Sequence, residues 1–208
     1  MTENFEARFA AARRAYIARQ FSDMNPRQLE AVLTTRGPLL LLAGAGSGKT
    51  TVLINRIANL VRYGCGADSS EVPDGVTEDD VLFLEAEAAA PTLEGRERAD
   101  ELAALHPALP WSIIAITFTN KAANELKERL SNMLGSEAND VWAMTFHSAC
   151  CRILRREIER IGYDRSFTIY DTADSERVMK EILRDRNLDE KLFPPRQVLG
   201  MISRAKDK

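Results

Sequence analysis

Residues 39–50 read Leu-Leu-Leu-Leu-Ala-Gly-Ala-Gly-Ser-Gly-Lys-Thr, an apolar run that leads into a glycine-rich turn. Successive leucines are typical of a strand that is buried on both faces in a parallel sheet. A helix is expected to follow, from about Lys49 to Arg62. Because a phosphate-binding loop sits between a strand and the start of a helix, this stretch predicts such a loop within an α/β fold.

The predicted phosphate loop runs from Ala43 to Thr50. Its glycines let successive N–H groups turn inward around an anion, and the helix N-terminus adds a partial positive charge. Lys49 is expected to reach the β and γ phosphates, and the Thr50 hydroxyl to hold Mg²⁺. The alternative is an ordinary glycine-rich turn with a surface lysine. The candidate nucleotide-binding residues here are Ala43, Gly44, Ala45, Gly46, Ser47, Gly48, Lys49, Thr50 and Thr51.

Gln28 is a further candidate, because it lies upstream of the loop on a helix with clear start signals. Asn25 is the expected N-cap and Pro26 the first helical residue, and Gly37-Pro38 is the expected stop. A glutamine amide offers a donor and an acceptor that match N7 and N6 of adenine. Taken alone, the residue is better explained as an exposed helical glutamine.

The rest of the chain alternates apolar strands with helices, which predicts a parallel sheet with right-handed crossovers and a helical C-terminal piece. The predicted strands after residues 39–42 are 113–117, 141–145 and a shorter one at 167–170. The other predicted helices are residues 4–20, 121–134 and 148–161, and residues 173–208 are predicted to be helical.

The composition is that of a globular chain, with 45% hydrophobic and 28% charged residues. Its longest apolar run is far shorter than the roughly 20 residues of a membrane helix, so no membrane partner is expected. The three cysteines fit neither a disulfide framework nor a zinc site. The acidic N-terminus carries no secretory signal, and we therefore expect a cytoplasmic protein.

Residues 64–110 differ from the rest in charge. They carry 12 acidic side chains and two arginines, whereas the remainder carries 19 acidic side chains and 26 lysines and arginines. We interpret 64–110 as an acidic insertion in an otherwise basic body. Because it would repel a polyanion, we expect it to project away from any DNA-binding surface.

Several segments together resemble the UvrD/Rep/PcrA family of superfamily 1 DNA helicases. Met24–Val32 resembles the family's Q motif and Ala43–Thr50 its motif I. Similar to motif Ia are Pro110-Trp111 and Ile116–Ala123, and similar to motif Ib are Thr145–Ser148 and Arg152–Arg155. Residues 167–196 resemble the start of the inserted helical subdomain. One departure is Thr51, where the family commonly has an arginine near the nucleotide.

The resemblance implies part of a RecA-like parallel sheet and part of an inserted helical subdomain. Residues 1–21 would be an N-terminal extension, 22–161 the first RecA-like domain and 162–208 the helical subdomain. The parent protein would use ATP and Mg²⁺ to move 3′ to 5′ on single-stranded DNA and unwind duplex junctions in replication or repair. Its second RecA-like domain would be supplied by the remainder of the same chain.

The resemblance also assigns DNA contacts to the residues that follow two predicted strands: Thr117, Phe118, Thr119, Asn120, Thr145 and His147. This placement is reasonable, because open α/β sheets bind ligands at the carboxyl ends of their strands. Each residue has a simpler alternative. Phe118 could belong to the core, Asn120 could be only a helix N-cap, and His147 could be structural.

No residue is an accepted candidate for the catalytic acid that ATP hydrolysis requires. Residues 81–85 and 167–171 each end an apolar run with a carboxylate, Glu85 and Asp171. The first is helical in character, and the second falls in the subdomain sequence. We therefore expect an enzymatic parent and an N-terminal piece without turnover of its own. Two rival interpretations are a P-loop kinase or transferase, and a nucleotide-gated, non-catalytic module whose acidic insertion binds a protein partner.

Overall fold

The computed structural model describes residues 2–44 and 46–207, which divide between residues 151 and 152 into two compact units. Within these residues, no helix combines the length and the apolar character needed to cross a membrane. The elements are α1 (Thr2–Arg19), α2 (Pro26–Leu33), α3 (Lys49–Tyr63), α4 (Glu78–Ala89), α5 (Arg96–Ala103), β1 (Ile114–Thr117), α6 (Asn120–Leu134), β2 (Trp142–Thr145), α7 (Phe146–Glu157), α8 (Thr172–Asp185) and α9 (Pro195–Lys206).

The sheet of the first unit consists of β1 and β2, which run parallel with Thr117 opposite Thr145. α6 connects them, as a parallel pair requires a crossover. One face of the sheet is covered by α6 and α3, whose buried side chains form a common core with the strands: Ile54, Ile57, Ala58, Val61, Ala115, Leu126, Leu130 and Ala143. This core fixes α3, the helix that follows the predicted phosphate loop, and confirms a mixed α/β fold.

The prediction of a buried strand at residues 39–42 is wrong for this structure. The segment forms no strand, and Leu40 and Leu42 are 79% and 86% exposed. A strand needs a neighbour to satisfy its N–H and C=O groups, and β1 and β2 pair only with each other within the described residues. Ile114 and Ile116, on the second face of the sheet, are also half exposed.

The second unit is helical beyond α7, as the sequence predicts for residues 173–208. The short strand predicted at residues 167–170 is absent from the described structure. Phe167 instead lies under the guanidinium of Arg155, whose Cζ is 3.9 Å from the ring centroid. α8 starts at a capping box in which the Asp171 side chain accepts a hydrogen bond from the N–H of Asp174. α8 and α9 pack together and are joined by an ion pair between Glu176 and Arg196.

The acidic insertion does not stand alone, because it packs against the N-terminal helix. α1 lies on α4 and α5, and their buried side chains share one core: Phe9, Ala12, Tyr16, Ile17, Val81, Leu84, Ala99 and Ala103. Arg8 of α1 forms ion pairs with Glu78 and Glu85 of α4. Seven of the 12 acidic side chains between residues 64 and 110 have a partner in the described residues, so much of the charge is used internally: Asp68, Glu71, Glu78, Asp80, Glu85, Glu87 and Asp100.

Candidate nucleotide site and neighbouring turns

The predicted phosphate loop contains two glycines with a left-handed backbone. Gly46 has φ +73° and Gly48 has φ +79°, a region that residues with a Cβ rarely adopt. Gly48 is the N-cap of α3, which begins at Lys49 as predicted. The chain therefore turns directly into a helix N-terminus, where free N–H groups and the helix dipole favour an anion.

The ammonium group of Lys49 folds back over the loop that precedes it. Its Nζ donates to the carbonyl oxygens of Ala43, at 2.9 Å, and of Gly44, at 2.5 Å. Ser47 Oγ also donates to the Gly44 carbonyl, at 2.8 Å, which closes the turn. The lysine is exposed, so phosphate oxygens can replace these neutral carbonyls and form stronger, charge-assisted bonds.

Gln28 touches the loop directly. Its Nε2 donates to the carbonyl of Ser47 at 3.0 Å, and its Oε1 accepts from the N–H of Asn25 at 3.1 Å as half of a capping box. A Cβ at Gly48 would lie 2.8 Å from Nε2, so the loop approaches the amide more closely than any other residue type allows. The structure thus brings Gln28 and the loop together, unlike an exposed helical glutamine. A cavity of about 290 Å³ lies between α2 and this loop, lined by Gln28, Leu40, Ala43 and Lys49 among others.

Two residues of α3 that the sequence analysis missed hold α2 beside the loop. Arg56 donates to the carbonyls of Ala31, at 2.7 Å, and of Thr34, and the buried Asn59 donates to that of Val32 at 3.0 Å. These carbonyls end α2 and have no partner within their own helix. Burial lowers the pKa of Arg56, because it removes water from the guanidinium. The available signal was two polar residues, three positions apart, on an otherwise apolar helix face.

The predicted DNA-contacting threonines lie at one edge of the sheet, and their hydroxyls are engaged locally. Thr117 Oγ1 donates to the Thr119 carbonyl at 3.1 Å, and Thr119 is the N-cap of α6. The alternative that Asn120 is this N-cap is therefore wrong, because Asn120 is the first helical residue. Thr145 is buried, and its hydroxyl lies 2.9 Å from that of Ser148 at the start of α7.

The exposed members of the predicted DNA-contacting set are Phe118, Thr119, Asn120 and His147. Phe118 is 99% exposed, so the alternative that it belongs to the core is wrong. Phe146 is also exposed, at 58%. The insertion leaves Phe118 uncovered, since α4 and α5 pack against α1 and α3 instead. This edge therefore presents an aromatic ring beside amide and imidazole groups.

The carboxylates rejected as catalytic acids both have structural partners. Glu85 lies on α4 and pairs with Arg8, and Asp171 caps α8. Nowhere in the described part of the chain do three or more histidine, cysteine, aspartate or glutamate side chains cluster as metal ligands. For Mg²⁺, the loop offers the exposed Thr50 hydroxyl, whereas the Ser47 hydroxyl is bonded to the Gly44 carbonyl. That suits an ion that arrives with nucleotide phosphates and keeps several waters.

Comparison with known proteins connects these features to one family. Residues 24–72 and 97–208 match the UvrD/REP helicase N-terminal domain, and the match leaves out residues 1–23 and 73–96. The chain is 49% identical over 193 residues to the ATP-dependent DNA helicase PcrA of Bacillus subtilis (strain 168), covering 92% of this chain and 20% of the relative. It is 42% identical over 184 residues to PcrA of Staphylococcus aureus (strain Mu50), covering 88% and 20%.

The chain thus spans about a fifth of the length of the curated relatives that it matches. The matched residues contain the glycine-rich loop, Gln28 and both strand-end turns, and they make up most of the chain. The resemblance drawn from the motifs is confirmed. The chain belongs to the UvrD/REP helicase N-terminal domain family.

Proposed function

We propose that the chain is the ATP-binding part of an ATP-dependent DNA helicase that moves 3′ to 5′ along single-stranded DNA and unwinds duplex junctions. The observation that carries this proposal is the bond between Gln28 Nε2 and the Ser47 carbonyl. It joins a side chain suited to adenine and a loop suited to phosphates in one site. The PcrA relatives, which are named ATP-dependent DNA helicases, support the same activity.

In this proposal the nucleotide binds across α2 and the phosphate loop. The Gln28 amide keeps one N–H and one lone pair beyond its bonds to Ser47 and Asn25, enough for N7 and N6 of adenine. Lys49 exchanges the carbonyls of the loop for phosphate oxygens. The Thr50 hydroxyl serves as one ligand of Mg²⁺, which, when bound with ATP, neutralises charge on the phosphates.

Single-stranded DNA is proposed to cross the edge where β1 and β2 end. Phe118 offers a stacking face that is independent of base identity, and exposed aromatic rings of this kind hold successive bases. Asn120 and His147 can bond phosphates without reading sequence, and Thr117, Thr119 and Thr145 hold the backbone of the two turns. Because α3 follows the phosphate loop and shares a core with β1 and β2, a structural change at the nucleotide site would reach this edge through that core.

The proposal includes a RecA-like arrangement of the first domain over residues 22–161 and a cytoplasmic location. Its further partners are a second RecA-like domain, from elsewhere in the same protein, and a protein that binds the insertion. Because the described carboxylates form no cluster near Thr50, we expect weak binding of Mg²⁺-ATP without DNA-stimulated turnover. The exposed Phe118 and the family match favour this function over a P-loop kinase, a transferase or a non-catalytic module.

Titration of this chain with a fluorescent ATP analogue, with and without Lys49→Ala, tests the proposal. Lys180→Ala is a matched control, because this lysine is exposed on α8 and has no part in the site. We expect saturable binding that Lys49→Ala alone weakens. Binding unaffected by Lys49→Ala would contradict the proposal. DNA-stimulated ATPase activity that Lys49→Ala abolishes would show that these residues supply the catalytic acid themselves.

A further inference from the structure

Two segments outside the family match pack on each other. The match omits residues 1–23, which contain α1, and residues 73–96, which contain α4. In the structure these helices share a core, and Arg8 pairs with Glu78 and Glu85. α1 and α4 therefore form one accessory unit, although 58 residues separate the end of α1 from the start of α4.

α1 also holds a loop near the start of the insertion, residues 66–71. Arg13 is fully buried, and its guanidinium donates to the carbonyls of Gly66 at 2.8 Å, Ser69 at 2.6 Å and Glu71 at 2.9 Å. Arg14 donates to the neighbouring carbonyl of Ala67 at 2.8 Å. Burying a charge costs free energy unless the group is hydrogen-bonded, and all three of these Arg13 bonds go to carbonyls of one short loop. That loop is consequently fixed to α1.

The loop at residues 66–71 contains Asp68, which bonds Thr35 and Arg36 at the start of the connection to the phosphate loop. Asp68 Oδ2 accepts from the N–H of Thr35 at 2.6 Å and of Arg36 at 3.3 Å, and Oδ1 accepts from the Thr35 hydroxyl. Burial would raise the pKa of Asp68, but the hydrogen bonds from Thr35 and Arg36 lower it below its ordinary value. The carboxylate is therefore held in its charged form as an acceptor.

Thr35 and Arg36 begin the connection between α2 and the phosphate loop. Among the described residues, 37–42 make no hydrogen bond, so this connection is held at its two ends only. The far end is the loop itself, where Lys49 bonds the carbonyls of residues 43 and 44. The near end is held by Asp68, by the bond from Arg56 to the Thr34 carbonyl, and by a bond from Arg36 to the Cys65 sulfur at 3.4 Å.

We propose that α1, acting through Arg13 and Asp68, is a positioning element for nucleotide recognition. It anchors the connection so that Gln28 on α2 and the phosphate loop keep the spacing that an adenine nucleotide requires. This inference rests on the proposed ATP site, and Asp68 is a positioning residue that does not touch the nucleotide.

The test compares three variants by their preference for ATP over GTP, measured as the ratio of dissociation constants for fluorescent analogues of the two. A glutamine amide positioned to bond adenine should make the dissociation constant for GTP about tenfold higher than that for ATP. We expect Asp68→Ala to lose most of this preference. Asp68→Asn should retain it within about twofold, because the amide oxygen can face both N–H groups while its NH₂ group meets the Thr35 hydroxyl. Asp80→Ala is the control, since Asp80 bonds only within the insertion, to Arg98 and Thr77.

A merely structural role would lower the melting temperature of Asp68→Ala and Asp80→Ala alike and leave the base preference unchanged. That outcome would overturn the inference while leaving the ATP site intact. Failure of the unsubstituted chain to bind either nucleotide would instead refute the proposed function, and the inference with it. The two failures are therefore distinguishable.

A double-mutant cycle tests the route from α1. Arg13→Gln should reduce the preference as Asp68→Ala does, and the double variant should be no worse than Asp68→Ala alone, because both act through one loop. Arg19→Gln is the matched control, since Arg19, the last residue of α1, bonds the carbonyls of Ala88 and Ala89 and not the loop at residues 66–71. Additive losses in the cycle would contradict the shared route. If Arg13→Gln does not fold, the Asp68 series decides alone.

Discussion

Replacing Gly48 by alanine tests how closely α2 approaches the phosphate loop. A φ of +79° costs a residue with a Cβ roughly 1–2 kcal/mol. The new Cβ would lie 2.8 Å from Gln28 Nε2, so the amide must move and give up its bond to Ser47. That bond is worth about 1 kcal/mol. Alanine also restricts the unfolded chain, which returns about 0.4–1 kcal/mol. We expect a net loss of about 1–2.5 kcal/mol in the free energy of unfolding.

Urea unfolding of the chain measures this loss, and the loop supplies its own controls. A Cβ added at Gly44 would meet no atom within 4 Å, and the φ of Gly44 is not left-handed, so Gly44→Ala should be neutral or slightly stabilising. Gly46→Ala adds only strain, because its φ is +73° and its surroundings are open. In a Gln28→Ala background, Gly48→Ala should cost no more than Gly46→Ala. If Gly48→Ala and Gly46→Ala cost the same with Gln28 present, the close approach is refuted.

Three further predictions concern other parts of the chain. Phe118→Ala should weaken single-stranded DNA binding by about 1–3 kcal/mol without altering stability. The control Leu93→Ala, at an apolar residue of the insertion that is 93% exposed, should change neither DNA binding nor stability. Equal effects of the two substitutions in a binding assay at fixed salt concentration would argue against stacking. Arg56→Met should lower the free energy of unfolding by about 1–3 kcal/mol, because it leaves carbonyls of α2 unpaired, and an unchanged urea midpoint would refute that role. The hydrogen bond from Arg98 lowers the pKa of Asp80 from 3.8 to about 2. The stability that the Asp80 carboxylate contributes is therefore complete above pH 4 and is lost as the pH falls toward 2. The difference in unfolding free energy between the unsubstituted chain and Asp80→Asn should shrink over that interval, and a constant difference would contradict the assignment.

Local signals predicted the parts of the site that depend on neighbours in the sequence. Asn25 and Pro26 start α2, and Gly48 gives way to α3 at Lys49, because caps and glycine turns act over a few residues. The strands at 114–117 and 142–145 also form as predicted. The alanine in each strand packs into a core with α6, the helix that connects the two strands. The strand at residues 39–42 does not form, because a strand depends on a partner that composition alone cannot identify.

Distant contacts were beyond local reasoning. Nothing near Arg13 indicates that it holds carbonyls more than 50 residues away, and its helix reads as an ordinary Ala- and Arg-rich one. The acidic charge of the insertion predicts repulsion from DNA, which stays a prediction. It did not indicate that Glu78 and Glu85 would pair with Arg8 of the N-terminal helix. Net charge sums over a segment, whereas an ion pair depends on which helix packs beside it.

Calorimetry of this chain with Mg²⁺-ATP and Mg²⁺-GTP, with and without Gln28→Ala, tests whether α2 and the phosphate loop form one adenine nucleotide site. The unsubstituted chain should prefer ATP by about tenfold, and Gln28→Ala should bind both nucleotides with equal affinity. An ATP preference that survives Gln28→Ala, or no binding of either nucleotide, would contradict this assignment.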